Sequence, residues 1–228
     1  MTFIHLDVLT PIEMEAKTDE ETGKRVYLTP EGNKYPSVTT VIGSNPEKMK
    51  GIMRWRKRVG EEKANAISKR STTRGTKYHS IVEDYIDNCL DITDYHSHPL
   101  PVVMFKHSKP TLDRINKIYL QEAALYSDVL KLAGRVDCIA EFDGLLSIID
   151  FKTAAEPKKQ QYLYDYFVQE CAYACMLKEK YDIDAKQLVT IVVCENGETQ
   201  VEVRPVKKEF LDSLLKYKDE YDTTHGKK

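Results

Sequence analysis

Apolar and polar residues alternate on both sides of a tight turn near the middle of the chain, between Ala133 and Thr153. Asp143-Gly144 is a strong signal for a two-residue hairpin turn, and the β-prone runs 136–142 and 145–151 flank it. A simple turn of this kind pairs Phe142 with Leu145 and Ile139 with Ile148. The pattern therefore predicts an antiparallel hairpin whose register is set by the turn.

The predicted register places Asp137 directly opposite Asp150, with Cβ atoms about 4.5–5.5 Å apart. Lys152 lies two residues beyond Asp150 and points to the same face. Like charges directly opposite each other destabilise a sheet unless they are neutralised. One interpretation is a solvent-facing rim of salt bridges. The other is a site for a hard cation such as Mg²⁺ or Mn²⁺, where Lys152 orients or deprotonates water or stabilises a developing oxyanion.

Helical periodicity predicts three helices elsewhere in the chain. Residues 75–90 carry apolar side chains at i, i+3, i+4 and i+7, with His79 on the flank of the stripe. A helix of about 20 residues follows Pro157 and runs to Tyr181, and residues 210–221 form a closing amphipathic helix. Short alternating runs predict strands at 118–126 and 130–142 and a hairpin at 188–194 and 199–206.

The helix after Pro157 carries one polar residue inside an otherwise bulky stripe. Gln169 shares this stripe with Tyr166, Tyr173 and Met176, so its amide requires a partner. One possible partner is the protein backbone. The other possibility is that the amide faces the carboxylates or a bound nucleic acid. Glu122 lies on the strand at 118–126 and is a candidate for a further carboxylate near the cluster.

The N-terminal third contains the candidates for nucleic-acid contact. Residues 1–24 are expected to be irregular, and residues 25–34 to form a small hairpin. Ser37, Thr39 and Thr40 crowd the first turn of a helix, which is either a phosphate site or an ordinary N-cap. The stretch 46–74 is basic and contains Arg54 beside Trp55, the single tryptophan. This mixture favours a strand-tracking surface, with a solvated basic helix as the alternative.

Composition narrows the class of protein. The chain has 228 residues, 41% of them hydrophobic and 31% charged, which indicates one globular domain with a sizeable core. The net charge of −2 requires any nucleic-acid binding to use local basic patches. No apolar run is long enough to span a membrane, and no signal-peptide core is evident, so we expect no secretion. Five cysteines without C-x-x-C spacing fit reduced thiols.

Four ordered motifs carry a family resemblance. They are His79 on a helix, GRVD at Gly134 to Asp137, IIDFK at Ile148 to Lys152, and Gln169 followed four residues later by Tyr173. In this order they resemble the RecB-like exonuclease branch of the PD-(D/E)xK nucleases. Within it, the motifs PSVT, RGTKYH and E-x-x-x-x-S, which begin at Pro36, Arg74 and Glu122, look like the small exonucleases of the mitochondrial genome maintenance and bacteriophage type.

The resemblance implies an α/β (α+β) restriction-endonuclease-like core, αβββαβ, with a mixed sheet flanked by helices and an N-terminal helical extension. The resemblance covers roughly residues 35–205. We expect one nuclease domain, 1–228, which consists of an N-terminal extension (1–34), a helical DNA-binding region (35–90), the catalytic sheet (118–206) and a C-terminal helix and tail (207–228). The resemblance also implies Mg²⁺ or Mn²⁺, one ion or two, on His79, Asp137, Asp150 and the Phe151 carbonyl. Glu122, from its place on the strand, is a candidate for an added ligand.

The remaining roles follow from the same resemblance. Lys152, Asp137 and Asp150 would be catalytic with Gln169 and Tyr173, while Arg74, Tyr173 and an aromatic such as Trp55 would hold the strand. The chain lacks the cysteine quartet of Fe–S members and a helicase motif, so we expect no cluster and either independent action or a separate helicase, replication or recombination protein.

The expected function is a metal-dependent exonuclease acting on single-stranded DNA ends in replication, repair or recombination. We expect a monomer that binds no membrane, in the cytoplasm of a bacterial or phage-infected cell, or in mitochondria if the source is eukaryotic. Two alternatives stay open: a structure-specific or Cas4-like endonuclease, and a non-catalytic single-strand-binding module.

Overall fold

The computed structural model describes residues 2–20 and 22–225, which contain eight strands and six α-helices. The strands are β1 (Glu15–Thr18), β2 (Arg25–Leu28), β3 (Lys34–Pro36), β4 (Ile115–Ser127), β5 (Leu132–Phe142), β6 (Leu145–Ala154), β7 (Gln187–Cys194) and β8 (Thr199–Pro205). The helices are α1 (Val38–Gly43), α2 (Pro46–Val59), α3 (Glu61–Ile86), α4 (Pro99–Leu112), α5 (Tyr164–Tyr181) and α6 (Lys208–His225).

A five-stranded mixed sheet in the order β4-β5-β6-β7-β8 forms the centre of the fold. Neighbouring strands are antiparallel except β6 and β7, which are parallel and are connected through α5. Helices α3 and α4 pack on one face, where Ile81 and Met104 meet Ile149. Helices α1, α5 and α6 pack on the other face, where Val168 and Leu214 join Ile148 in the core. The predicted α/β architecture with a helix-flanked mixed sheet is therefore correct.

The central hairpin follows the predicted register. Asp143 and Gly144 both have positive φ, 51° and 79°, as a type I′ turn requires. Phe142 pairs with Leu145, and Ile139 pairs with Ile148. The hairpins predicted near residues 25–34 and 188–206 are also present, the first as β2 and β3 and the second as β7 and β8.

Helix α3 is much longer than the predicted helix over residues 75–90. It begins at Glu61, after Gly60 with φ of 88°, and ends at Ile86, before Asn88 with φ of 61°. The missed first half carries good helix formers but only one buried apolar side chain, Ala64, so it has no apolar stripe to reveal it. The basic stretch of residues 46–74 thus forms α2 and the exposed half of α3.

Two predictions about the chain ends are wrong. The first 24 residues are not irregular: the segment around Ile4 and Leu6 exchanges backbone hydrogen bonds with Ile118 in β4, and Phe3 is buried. Residues 15–18 also form β1, which completes a three-stranded sheet with β2 and β3. At the other end, α6 continues to His225 beyond the predicted limit of residue 221. The rest of the predicted tail, residues 226–228, lies outside the described residues.

None of the helices among the described residues has the length and apolar character that crossing a membrane requires.

Candidate active site

Three neighbouring strands each contribute one carboxylate to the same end of the sheet: Glu122 from β4, Asp137 from β5 and Asp150 from β6. The hairpin ladder ends at Cys138 and Ile149, one residue before the predicted pair of aspartates. Asp137 instead uses its carboxylate Oδ2 to accept a 2.8 Å hydrogen bond from the backbone N–H of Phe151. The predicted direct pairing of Asp137 with Asp150 is therefore replaced by a side-chain contact.

His79 reaches this end of the sheet from α3. Its Nε2 lies 2.8 Å from the carbonyl oxygen of Phe151 and donates to it, since the carbonyl can only accept. Its Nδ1 then faces two carboxylates, 3.8 Å from Asp137 and 3.9 Å from Glu122. The ligand atoms of His79, Glu122 and Asp137 all lie within 4.8 Å of one another. The sequence had proposed Glu122 only as an added ligand, and here it belongs to the tightest group.

The carboxylates favour a positive charge at this point. Burial by itself lowers the pKa of His79, but Asp137 and Glu122 outweigh burial and raise that pKa to about 9. A proton on the imidazole is therefore strongly stabilised, and the same charges favour a cation. A histidine nitrogen with carboxylate oxygens is a donor set that suits divalent ions such as Mn²⁺ or Mg²⁺. The residues present thus fit a divalent metal.

Asp150 and Lys152 form the buried half of the site. Asp150 is only 3% exposed, and burial raises the pKa of its carboxyl to about 6 although Lys152 opposes the shift. Its Oδ1 accepts a 2.9 Å hydrogen bond from the amide of Gln169. Its Oδ2 forms an ion pair with the Lys152 ammonium but has no further hydrogen-bond donor. An oxygen in this state can accept a second cation.

The ammonium form of Lys152 is the stable form. Burial lowers the pKa of Lys152, but Asp150 and Asp137 more than offset that effect and raise it above its usual range. These neighbouring charges favour the protonated form of Lys152 and hence a cationic role. Of the roles that the sequence left open for Lys152, orienting water and stabilising negative charge fit these pKa values best.

Comparisons with known proteins identify the family of the chain. Residues 101–222, more than half of the chain, match the PD-(D/E)XK nuclease superfamily. The chain belongs to this nuclease superfamily.

Mitochondrial genome maintenance exonuclease 1 of Mus musculus is 28% identical over 80% of the chain, and that of Homo sapiens is 23% identical over 80%. The chain spans about half the length of these curated relatives, 55% and 54%. A solved structure of a candidate exonuclease from Eubacterium rectale aligns with a TM-score of 0.46 at 7% identity, covering 68% of this chain and 65% of that one.

A buried carboxyl beneath the nuclease site was missed from the sequence. Glu170 is completely buried on α5, where its Oε1 accepts a hydrogen bond from the hydroxyl of Thr190 while Oε2 has no partner. Burial, together with the charge of Asp150, raises its pKa well above the usual range, which favours the neutral acid. The only signal in the sequence is a charged residue inside a helix that is buried on almost every side.

Tyr173 lies inside the nuclease core. Its side chain is 3% exposed and packs against Gly134 of β5, where an added Cβ would lie 2.6 Å from the Tyr173 hydroxyl oxygen. The glycine of the GRVD motif therefore makes room for this ring. Tyr166, about two helical turns earlier on α5, has its ring centre 5.2 Å from the Lys152 nitrogen. Tyr166 thus places an aromatic ring beside the ammonium.

The hydroxyls at the start of α1 bond mainly to one another. The Ser37 side chain caps the helix by accepting from the Thr40 N–H at 3.1 Å, and it lies 3.2 Å from the Thr39 hydroxyl. Ser37 is buried and α1 has only six residues. The N-cap alternative describes this helix start, and no feature of it indicates a phosphate site.

A groove between α2 and the start of α5 combines cations with aromatic rings. Its volume is about 750 Å³, and its lining includes Arg54, Trp55, Arg58, Lys158, Tyr162 and Tyr166. Tyr166 therefore connects the groove to Lys152. The sequence had singled out Arg54 and Trp55 for strand binding, and the fold brings both into this groove.

Arg74, the other predicted strand-binding cation, is turned into the protein. Its side chain is 8% exposed, forms an ion pair with Glu195 in the turn between β7 and β8, and donates a hydrogen bond to the hydroxyl of Thr153. This position does not support the predicted contact between Arg74 and DNA.

Proposed function

We propose that this nuclease-superfamily member hydrolyses phosphodiester bonds of DNA as a divalent-metal-dependent exonuclease acting at single-stranded ends. The observation that carries the proposal is the convergence of three carboxylates from adjacent strands with one histidine and one lysine. The names of the curated relatives support the exonuclease assignment. Burial of Asp150 and the raised pKa of Lys152 support a site that acts on an anionic group.

His79, Glu122 and Asp137 would hold the metal, with Asp150 contributing through its Oδ2, which has no described partner besides the Lys152 ammonium. When bound, the ion would polarise a phosphoryl oxygen and make water a better nucleophile. The histidine has a fixed orientation for this task, because its Nε2 is engaged by the Phe151 carbonyl and its Nδ1 faces the carboxylates. In this arrangement the Phe151 carbonyl orients His79. The carbonyl would therefore influence the metal indirectly, through the imidazole.

The remaining residues orient and stabilise. Gln169 donates to Asp150 and fixes the direction of its carboxylate. Lys152 presents an ammonium that stabilises negative charge on the phosphate during in-line displacement. Tyr166 packs beside that ammonium and shields it from water on the side of the groove. Lys152 stabilises the negative charge in its protonated form, which the neighbouring carboxylates favour.

Single strands fit the groove between α2 and α5 better than a duplex does. Cations such as Arg54 and Arg58 follow a phosphate backbone, and Trp55, Tyr162 and Tyr166 offer flat rings for unpaired bases. Bases in a duplex are stacked on one another and cannot use these rings. Replication, repair or recombination are the settings in which free single-stranded ends arise. If the source is eukaryotic, the names of the relatives favour mitochondria, and otherwise the cytoplasm of a bacterial or phage-infected cell is the setting.

Digestion of linear single-stranded DNA, labelled at either the 5′ or the 3′ end, tests the proposal. With Mg²⁺ or Mn²⁺ we expect label to be released, and we expect EDTA or Lys152→Ala to abolish the release. Lys117→Ala is the matched control, because Lys117 forms an ion pair with Glu141 on the same sheet, toward the turn end of the hairpin. The label that is released first gives the direction of digestion.

The same strand closed into a circle separates the alternatives. Little or no cleavage of the circle supports an exonuclease, whereas efficient cleavage would indicate a structure-specific endonuclease. Absence of any cleavage by folded protein with either metal would overturn the enzymatic proposal. Retained single-strand affinity would then identify a non-catalytic binding module.

A further inference from the structure

We propose that Arg74 is a positioning residue, which holds the end of β6 around Lys152 and is itself held by Glu195. In this role Arg74 does not contact the nucleic acid. The inference rests on the proposed nuclease function and assigns a role to a residue pair that bridges α3 and the turn between β7 and β8. Glu195 has no counterpart among the motifs that the sequence revealed.

Every nitrogen of the Arg74 guanidinium has a partner within the protein. Nε donates to the Thr153 hydroxyl at 3.1 Å, and Nη2 donates to the Thr153 backbone carbonyl at 3.3 Å. Nη1 forms the ion pair with Glu195. With 8% of its side chain exposed, Arg74 presents little of its guanidinium to solvent. Turning the guanidinium toward a phosphate would break charge-assisted bonds that are largely buried, which is costly.

Glu195 is fixed to the same strand end. Its backbone N–H donates to the carbonyl of Ala154 at 3.0 Å, and its carboxylate also accepts from Arg70 at 2.6 Å. Arg70 is 66% exposed and does not touch Thr153 among the described contacts, so it stabilises Glu195 from the solvent side. The bonds from Arg74 and Glu195 thus converge on two consecutive residues, Thr153 and Ala154, immediately after Lys152.

The same helix also holds the residue before Lys152. His79 donates to the Phe151 carbonyl, so α3 is bonded to β6 on both sides of the catalytic lysine. The spacings match: five residues of helix rise about 7.5 Å, and two residues of strand span about 6.6 Å. Two anchors at matched spacing fix the backbone of Lys152 and hence the direction in which its ammonium points. This is the physical basis for a positioning role.

Three substitutions remove these contacts together or in part. Arg74→Gln removes the guanidinium contacts, Glu195→Gln removes the charge of the partner, and Thr153→Val removes only the hydroxyl. Arg114→Gln is the control, because Arg114 forms a more exposed ion pair with Asp143 at the turn end of the same hairpin. For each variant we would measure kcat and KM on labelled single-stranded DNA. Metal-free DNA affinity at several salt concentrations and amide hydrogen exchange of residues 151–154 complete the set.

The positioning role predicts a fall in kcat of about 10–100-fold for Arg74→Gln, which is the range for supporting contacts at metal sites. Smaller falls are expected for Glu195→Gln and Thr153→Val, and none for Arg114→Gln. DNA affinity and its salt dependence should stay within twofold of the wild type, while exchange of residues 151–154 becomes faster. If Arg74→Gln does not fold, the two milder variants carry the same test.

A nucleic-acid contact would give the opposite pattern. Weakened DNA affinity, a salt slope reduced by about 1 and an unchanged kcat for Arg74→Gln would overturn the inference. Unchanged kcat together with unchanged exchange would also overturn it. Wild-type protein without nuclease activity would instead refute the proposed function, and hydrogen exchange would still report whether Arg74 holds the strand end.

Discussion

The Asp137 carboxylate accepts a 2.8 Å hydrogen bond from the Phe151 backbone N–H, across the two strands of the central hairpin. This bond takes over where the ladder of backbone pairs ends. Asp137 therefore has two roles, because the same Oδ2 lies 3.8 Å from Nδ1 of His79 in the candidate metal group. One side chain thus couples the local structure of β6 to the charge of the site.

Two substitutions at Asp137 separate these roles. Asp137→Asn retains an oxygen that accepts from Phe151, whereas Asp137→Ala leaves that buried N–H without a partner. In EDTA we expect Asp137→Ala to be less stable than Asp137→Asn by about 1–3 kcal/mol in urea unfolding. Both should lose more than a hundredfold in activity, beyond the range of supporting contacts, which is about 10–100-fold. Equal stability of the two variants would contradict a structural role for the hydrogen bond.

Glu122 has a φ of 45° in the middle of β4, a conformation that costs a non-glycine residue about 1–2 kcal/mol. Asparagine tolerates this region better, so Glu122→Asn should be at least as stable as the wild type in EDTA. Adding Mn²⁺ should raise the melting temperature of the wild type strongly and that of Glu122→Asn much less, because a ligand has been lost.

Lys131→Asn is the control for that comparison. Lys131 also has a positive φ, 51°, but lies at the turn before β5, outside the metal group. We expect it to gain stability in EDTA and to keep the full response to Mn²⁺. An equal response to Mn²⁺ in Glu122→Asn and Lys131→Asn would show that Glu122 does not bind the ion.

Gly134 is required by the ring of Tyr173. An added Cβ would lie 2.6 Å from the hydroxyl oxygen and 2.9 Å from a ring carbon, so Gly134→Ala should cost about 1–3 kcal/mol of unfolding free energy. Tyr173→Phe removes the nearest of these atoms, and in the double variant the two costs should not add. Additive costs in a double-mutant cycle would show that the two residues do not press on each other.

Glu170 should make stability fall as the pH rises. Its pKa in the folded protein is raised above the usual 4.5, so the unfolded chain releases this proton first. The contribution of Glu170 to the free energy of unfolding is fully present below pH 4.5. It decreases above that pH by at most about 1.4 kcal/mol per pH unit. Glu170→Gln does not titrate and its amide oxygen still accepts from Thr190. The variant should therefore become more stable than the wild type between pH 5 and pH 8, as measured by urea unfolding. A difference in unfolding free energy that is independent of pH would contradict a neutral Glu170.

Much of the central hairpin was predictable because its determinants are local. Asp143-Gly144 tolerates the positive φ values of the turn, and the alternation of apolar residues fixes the register from Phe142–Leu145 to Cys138–Ile149. The proximity of Asp137, Asp150 and Lys152 follows from that register. Gln169 was predicted to need a partner, and the partner is Asp150.

The contacts between distant segments were decided by the tertiary structure. Arg74 carried a family motif that implied a DNA contact, but the partner that occupies it is Glu195, more than a hundred residues away. Glu170 shows only a weak local signal, because its raised pKa depends on burial beneath β7. The N-terminal segment has no periodicity of its own and is ordered by the edge of β4. Turns and periodic faces depend on neighbours within a few residues, whereas burial and ion pairing depend on which segments the complete fold brings together.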